Sequence, residues 1–330
     1  MESSMNSVHC FGEALIDLHG TASKGVGEAA TFHAHTGGAP ANVAVAVAKL
    51  GGRAAFVGMF GQDMFADMLL HDLAHAGVDT RHARRTDAAN TALAFVKHDE
   101  FGERSFSFYR PPSADLLFRD EDFDVGTFVP DSVFHAGSCS LTGSPSAEAT
   151  LFGLAQAHEA GALTSFDMNL RPALWPRGVD PAPMIWLALA WADVVKLSAE
   201  EMAFLAQSAG SEEAVIARLW QQHTELLVVT DGDGAIAWHT REAHGRRAAF
   251  KVRAVDTTGA GDAFVGGLLF QLARDGLNAT TLAARVADAA WRDATLRFAA
   301  ACGALAVTRA GSFAAMPTLG EAEQFLETHA

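Results

Sequence analysis

Four short β-rich runs, "SVFHAG" (132–137), "LTSFDMN" (163–169), "DVVKLS" (193–198) and "ELLVVTDG" (225–232), follow one another with helical stretches between them. The same alternation appears earlier, where "RAAFVGMFG" (53–61) is followed by "DMFADMLLHDLAHAG" (63–77). This rhythm constrains the fold more than any other feature. Strands separated by helices pair in parallel, and the helices then cover both faces of one sheet. Ligands in such sheets gather beyond the carboxyl ends of the strands. "VHCFGEALIDL" (8–18) begins as a further strand, and "APANVAVAVAKLG" (39–51) reads as a helix with Pro40 near its start and Gly51 at its end.

Two segments break the rhythm. "TALAFVKHDEFGERSFSFYR" (91–110) reads as two β-runs around a polar turn with Gly102, and "TFHAHTGG" (31–38) is a third β candidate. An isolated hairpin is only marginally stable, so these pieces are expected to form a small accessory sheet: a lid, a dimerisation surface, or both. With no tandem repeat or linker in the way, residues 1–330 read as a single domain.

Apolar residues make up 49% and charged residues 19%, which suits a large core. The formal charge of −15 counts against a broad nucleic-acid surface. Arg84-Arg85 and Arg246-Arg247 are isolated pairs. No apolar run is long enough to suggest a membrane span, and Glu13 and Asp17 interrupt the first apolar stretch, which argues against a signal core. Cys10, Cys139 and Cys302 are widely spaced with no CxxC pair, so buried reduced thiols and a cytoplasmic protein are expected.

The chemistry concentrates in "DTTGAGDAFVGG" (256–267). Before it, "AAFKVRAV" (248–255) is strand-like; after it, "AFVGGLLFQLARDG" (263–276) is helical, with Phe264, Leu268, Leu269 and Leu272 broadly on one face. The glycines therefore sit at a strand-to-helix turn. Gly259 and Gly261 let a ligand approach the backbone, and the helix start offers unpaired N–H groups and a favourable dipole. A GxGxxG dinucleotide turn fails, because position 264 is Phe264, and no Gly-Lys-Ser/Thr follows for a Walker loop. Close helix packing remains the plain alternative. Asp262 shifts the balance: a carboxylate at a helix start is favoured in its ionised form and can accept a proton from an attacking alcohol. Phosphoryl transfer needs both parts, donors around the migrating group and an acceptor beside the hydroxyl.

"GGAPANVAVAVAKLG" (37–51) and "DTTGAGDAFVGG", in that order, resemble the two characteristic motifs of ribokinase-like, or PfkB-type, carbohydrate kinases. The resemblance implies a three-layer α/β/α core with a mostly parallel sheet and a small β lid, with lid segments at about 12–37 and 91–110. It also implies ATP-dependent phosphorylation of a sugar hydroxyl, with Asp262 as catalytic base and Gly259, Ala260 and Gly261 as the anion hole. Asp256, with Thr258, matches a monovalent-cation loop, usually for potassium. Asp17 and Asn42 are placed to hydrogen-bond sugar hydroxyls, with Gly37 and Gly38 admitting the sugar; capping or turn chemistry is the alternative for each.

In "FDMNLRPALW" (166–175), Asp167, Asn169 and Arg171 follow a β-run. Arg171 is assigned to the transferred phosphate, with structural salt bridging as the alternative, and Asn169 to the sugar. "KLSAEE" (196–201) resembles the family's Asn-x-x-Glu segment near magnesium, although Ser198 stands in the asparagine place. Glu201 is therefore expected to reach Mg²⁺ through water, and Lys196 to contact the nucleotide. "VVTDGDGA" (228–235) suggests Thr230, Gly232 and Gly234 as ATP contacts or simply a turn; "FAAACGALAVTRAGS" (298–312) suggests Cys302 beside adenine. "FSFYRPPSADLLF" (106–118) resembles fructokinases, with Arg110 donating to the sugar and Phe108 closing over it, or else a plain hairpin exit. D-fructose to fructose 6-phosphate is the first expectation. A kinase for 2-keto-3-deoxygluconate, ribose or a nucleoside is the alternative, and a non-catalytic sugar-binding regulator the alternative of another class. The expected partners are a sugar and ATP, with a possible homodimer through the lid.

Overall fold

The computed structural model describes residues 5–20, 31–98, 104–124 and 126–329. Its strands are β1 (Ser7–Phe11), β2 (Leu15–Gly20), β3 (Phe32–Gly37), β4 (Arg53–Gly61), β5 (Ala83–Thr86), β6 (Leu93–His98) and β7 (Arg104–Tyr109). They continue as β8 (Ser132–Gly137), β9 (Leu163–Asp167), β10 (Val194–Ser198), β11 (Leu226–Thr230), β12 (Ala235–His239) and β13 (His244–Ala248). Nine form one sheet in the order β13-β12-β11-β10-β9-β8-β1-β4-β5. Pairing is parallel from β11 through β5, and β12 and β13 add an antiparallel edge.

Strand periodicity divides the core into two layers. Val8, Cys10, Val133, Val194 and Val228 point to the side covered by the helices Ala39–Lys49 and Ala260–Arg274. Phe11, Phe134, Val195 and Leu227 point to the other side, covered by the helices Ser146–Glu159 and Ala199–Ala209. A sheet buried on both faces needs apolar residues at consecutive positions, which is why these runs do not alternate in polarity. The architecture is therefore a three-layer α/β/α core.

The remaining strands form a second sheet in the order β3-β2-β6-β7. The outer pairs are antiparallel, but β2 and β6 pair in parallel, Ile16 opposite Leu93. The Gly102 turn of the expected hairpin and residues 21–30 of the first expected lid segment lie outside the described residues.

Three local expectations are corrected. "VHCFGEALIDL" is not one strand but two, β1 in the core sheet and β2, which carries Asp17, in the small sheet. "AAFKVRAV" contributes only Ala248 to β13, and the chain then runs without strand structure to the next helix. Its alternating pattern finds no partner because β13 is the sheet edge and the following residues turn to line a cavity. Finally, the helix Ala260–Arg274 is buried from Asp262 to Ala273, not on one face alone. Gly266 and Gly267 permit this: a Cβ on Gly266 would lie 2.4 Å from Ala46 Cβ, and one on Gly267 2.8 Å from Cys302 Sγ.

Candidate active site

The carboxyl ends of β9 and β10, the start of helix Ala39–Lys49, the small sheet and the glycine turn surround a cavity of about 480 Å³. A second cavity of about 360 Å³ lies beyond the same turn. Thr257, Ala260 and Gly261 line both. The turn is thus a thin partition with the first amides of a long helix at its centre.

Gly259 caps that helix in the left-handed conformation, with φ of 73°. A side chain there would be strained and would bring a Cβ to 3.0 Å from Met316 Cε. Asp262 follows in the first helical turn, buried, and its Oδ2 accepts a 2.7 Å hydrogen bond from Asn42 Nδ2. Burial raises its pKa from 3.8 to about 6; the Asn42 hydrogen bond opposes the rise, Asp167 adds to it, and Lys196 and Arg171 oppose it. Burial therefore works against the ionised form that a helix start favours. Asn42 Oδ1 is buried with no partner among the described residues, on a side chain that lines the first cavity.

Lys196 lines the first cavity and not the second. Its buried ammonium pairs with Asp167 at 3.1 and 3.2 Å. A Cβ on Gly261 would lie 3.2 Å from Lys196 Nζ, so this cation stands against the glycine turn and not against a base. Arg171 is exposed at the same cavity and donates to Leu170 O at 3.2 Å. Asn169, also on the cavity, carries a positive φ of 37°.

Glu201 has a second task that its sequence context announces. Ser198 and Glu201 form a capping box: Glu201 Oε2 accepts Ser198 N–H at 2.7 Å and Ser198 Oγ accepts Glu201 N–H at 3.1 Å. Glu201 Oε1 accepts Leu170 N–H at 2.7 Å, which fixes the Asn169–Arg171 loop. Burial, and then Asp167, push this carboxyl upward. The Ser-x-x-Glu spacing before an apolar run was the available signal.

Asp17, Gly38, Asn42 and Phe108 line the first cavity, and Gly37 does not. Gly38 has a φ of 107°, and a Cβ there would lie 2.6 Å from Glu13 O. A Cβ on Gly37 would lie 2.8 Å from Asp17 Oδ2, so these glycines admit protein before they admit any sugar. Arg110 is corrected in emphasis. Its buried guanidinium lines the first cavity and donates to Asp115 Oδ2 at 2.6 Å, Cys139 O at 2.9 Å and Thr142 Oγ1 at 3.1 Å, so part of it is committed to the protein. Glu13 and Ser312, both buried and on the cavity, were not singled out from sequence.

In the second cavity, Thr230 and Gly232 meet Phe250, Val252, Phe264 and Gly303, an apolar slot of the kind that holds a flat ring. Two expected contacts are withdrawn. Gly234 does not line the slot; its N–H donates to Asp231 O at 2.6 Å and closes a turn. Cys302 faces away, fully buried with Phe270 and Phe298 against Gly267. Asp256 lies between loops: Oδ1 accepts Thr258 N–H at 2.8 Å and Oδ2 accepts Gly311 N–H at 3.1 Å.

Residues 5–319 match the description of a pfkB family carbohydrate kinase. Fructokinase-1 of Zea mays is 42% identical over 328 residues, covering 99% of each chain. A fructokinase of Xylella fastidiosa, solved with bound ATP, is 49% identical with a TM-score of 0.93, covering 100% of this chain and 99% of that one. A fructokinase double mutant from Vibrio cholerae O395, solved with fructose, ADP and potassium ion, is 34% identical with a TM-score of 0.86, covering 99% of this chain and 100% of that one.

Proposed function

This chain belongs to the pfkB family of carbohydrate kinases, and from that premise we propose that it transfers the terminal phosphoryl group of ATP to D-fructose, giving fructose 6-phosphate and ADP. One observation carries the reading. The Gly259–Gly261 turn separates two cavities, and Asp262 follows it on the side of the polar one. The adenine end of ATP enters the apolar slot past Thr230 and Gly232, with its phosphates reaching the turn. Fructose occupies the polar cavity beneath the small sheet, against Asp17, Gly38, Asn42, Phe108 and Asn169. The described strands within about 12–37 and 91–110 serve as the lid of an otherwise single domain.

Asp262 takes the proton of the 6-hydroxyl as that oxygen bonds to the γ-phosphorus and the bond to the ADP oxygen breaks. A base with a pKa near 6 is ionised at neutral pH yet basic enough to help. The first-turn amides, Lys196 and Arg171 stabilise charge on the moving phosphoryl group. Among the described residues no cluster of three or more His, Cys, Asp or Glu side chains forms a metal site. Glu201 has each oxygen on a backbone amide, so a contact to Mg²⁺ through water would leave both bonds in place. When bound to ATP, Mg²⁺ supplies charge neutralisation across the phosphates. Asp256 and Thr258 frame the loop suited to a monovalent cation such as potassium, with the Asp256 carboxylate shaping it. A homodimer through the small sheet and a cytoplasmic location complete the reading.

The test is ATP consumption against a panel of fructose, 2-keto-3-deoxygluconate, ribose and nucleosides, with the product identified by phosphorus NMR. Selective use of fructose supports the reading. Preference for another sugar replaces the substrate, and binding without turnover on any of them replaces the enzyme with a sugar-binding regulator.

A further inference from the structure

Glu13 is a buried carboxyl group that the mechanism above does not use. It is 5% exposed and lines the sugar cavity, in the turn between β1 of the core and β2 of the small sheet. Two attachments converge on it, with a charged neighbour beyond them. Its Oε1 accepts the N–H of Ala39 at 3.2 Å, at the first residue of helix Ala39–Lys49. The same helix carries Asn42, which donates to Asp262 at 2.7 Å. Its backbone carbonyl fills the space where Gly38 lacks a side chain, which holds the exit of β3. Arg110, just past the end of β7, lines the same cavity, and its charge acts on Glu13.

The charges around it are unbalanced. Arg110 is held by Asp115 at 2.6 Å and its charge also acts on Glu13, so one guanidinium is set against two carboxyl groups. The Cys139 thiol lies in the same neighbourhood. Burial drives Glu13 up to about 7, Arg110 and the Ala39 amide oppose this, and Asp115 adds to it. A group used only as packing would be better replaced by an apolar side chain of similar volume.

We propose that Glu13 is a positioning residue of the phosphoryl transfer, tying the roots of the small sheet to the helix that aims Asp262. The inference rests on the kinase reading. Through Ala39 its carboxyl sets the start of the helix that holds Asn42, and through its charge on Arg110 it sets how the small sheet closes on the sugar.

Glu13→Gln keeps an oxygen for Ala39 but removes the charge acting on Arg110; Glu13→Ala removes both. Steady-state parameters for both substrates are measured for wild type and variants between about pH 5.5 and 9. Glu13→Ala is expected to lower kcat/KM for the sugar roughly tenfold, with the ATP KM within about twofold. Glu13→Gln is expected to restore most of kcat while losing the ionisation near 7 from the pH dependence of the sugar KM. Equal losses for sugar and ATP, or a Glu13→Gln profile that superimposes on wild type, overturn the proposal. Should Glu13→Ala not fold, the Glu13→Gln profile decides alone. Wild-type turnover on fructose tests the kinase reading separately, and the variants are compared on whichever sugar the wild type phosphorylates.

Discussion

Replacing Asp262 with asparagine is expected to make the fold more stable and the enzyme inactive, and the stability half can be worked from the structure. An ordinary aspartate titrates near 3.8, whereas buried Asp262 titrates at about 6. Between those values the native state binds a proton that the unfolded chain has released, so stability falls as pH rises through the window. Below it both states are neutral and the cost vanishes; above about 6 the cost is complete. A displacement of this size corresponds to about 3 kcal/mol. The figure is net of the Asn42 hydrogen bond, which favours the ionised carboxylate and already opposes the shift. Urea unfolding of wild type and Asp262→Asn at about pH 4 and about pH 8 measures it. The variant should gain little at the acid end and roughly 2–3 kcal/mol at the alkaline end. A difference independent of pH, or a variant less stable at alkaline pH, would refute the burial argument.

Other outcomes follow from the same geometry. Asn42→Ala should lower kcat roughly 10- to 100-fold and move the acid limb of the kcat profile upward, since the lost hydrogen bond favours the ionised base. Arg171→Ala should leave the unfolding midpoint within about 0.5 kcal/mol of wild type, because the side chain is exposed, yet lower kcat about tenfold or more. Cys302→Ala should cost about 1 kcal/mol of stability in a denaturant titration while leaving the ATP KM within about twofold, as its place is helix packing and not the nucleotide slot.

The core was legible because its signals are local. Apolar runs such as 53–61 and 132–137 are strands in the structure at the same positions, since a strand buried on both faces needs little beyond its own composition. The glycine turn was legible for the same reason, its φ demand and the helix start being written within a few residues. What escaped depends on distant partners. No local pattern shows that the chain leaves the core sheet after Phe11, or that β2 then pairs in parallel with β6, Ile16 opposite Leu93 77 positions later. Nor does "AAFKVRAV" reveal that it lacks a strand to pair with. Glu13 reads in sequence as an acid interrupting an apolar run, and only the fold brings the Ala39 amide against it and Arg110 to the same cavity. Cys302 erred in the opposite direction: its helix does border the slot through Gly303, but a helix turns a neighbouring residue about 100° away.

The central claim is that Asp262 is the base for transfer from ATP across the glycine turn. Its most direct test is turnover of Asp262→Asn with ATP and fructose, with fructose binding followed by calorimetry on the same protein. The account expects fructose to bind within a fewfold of wild type while kcat falls by about 10²–10⁴. Near-normal kcat in a folded variant would contradict it.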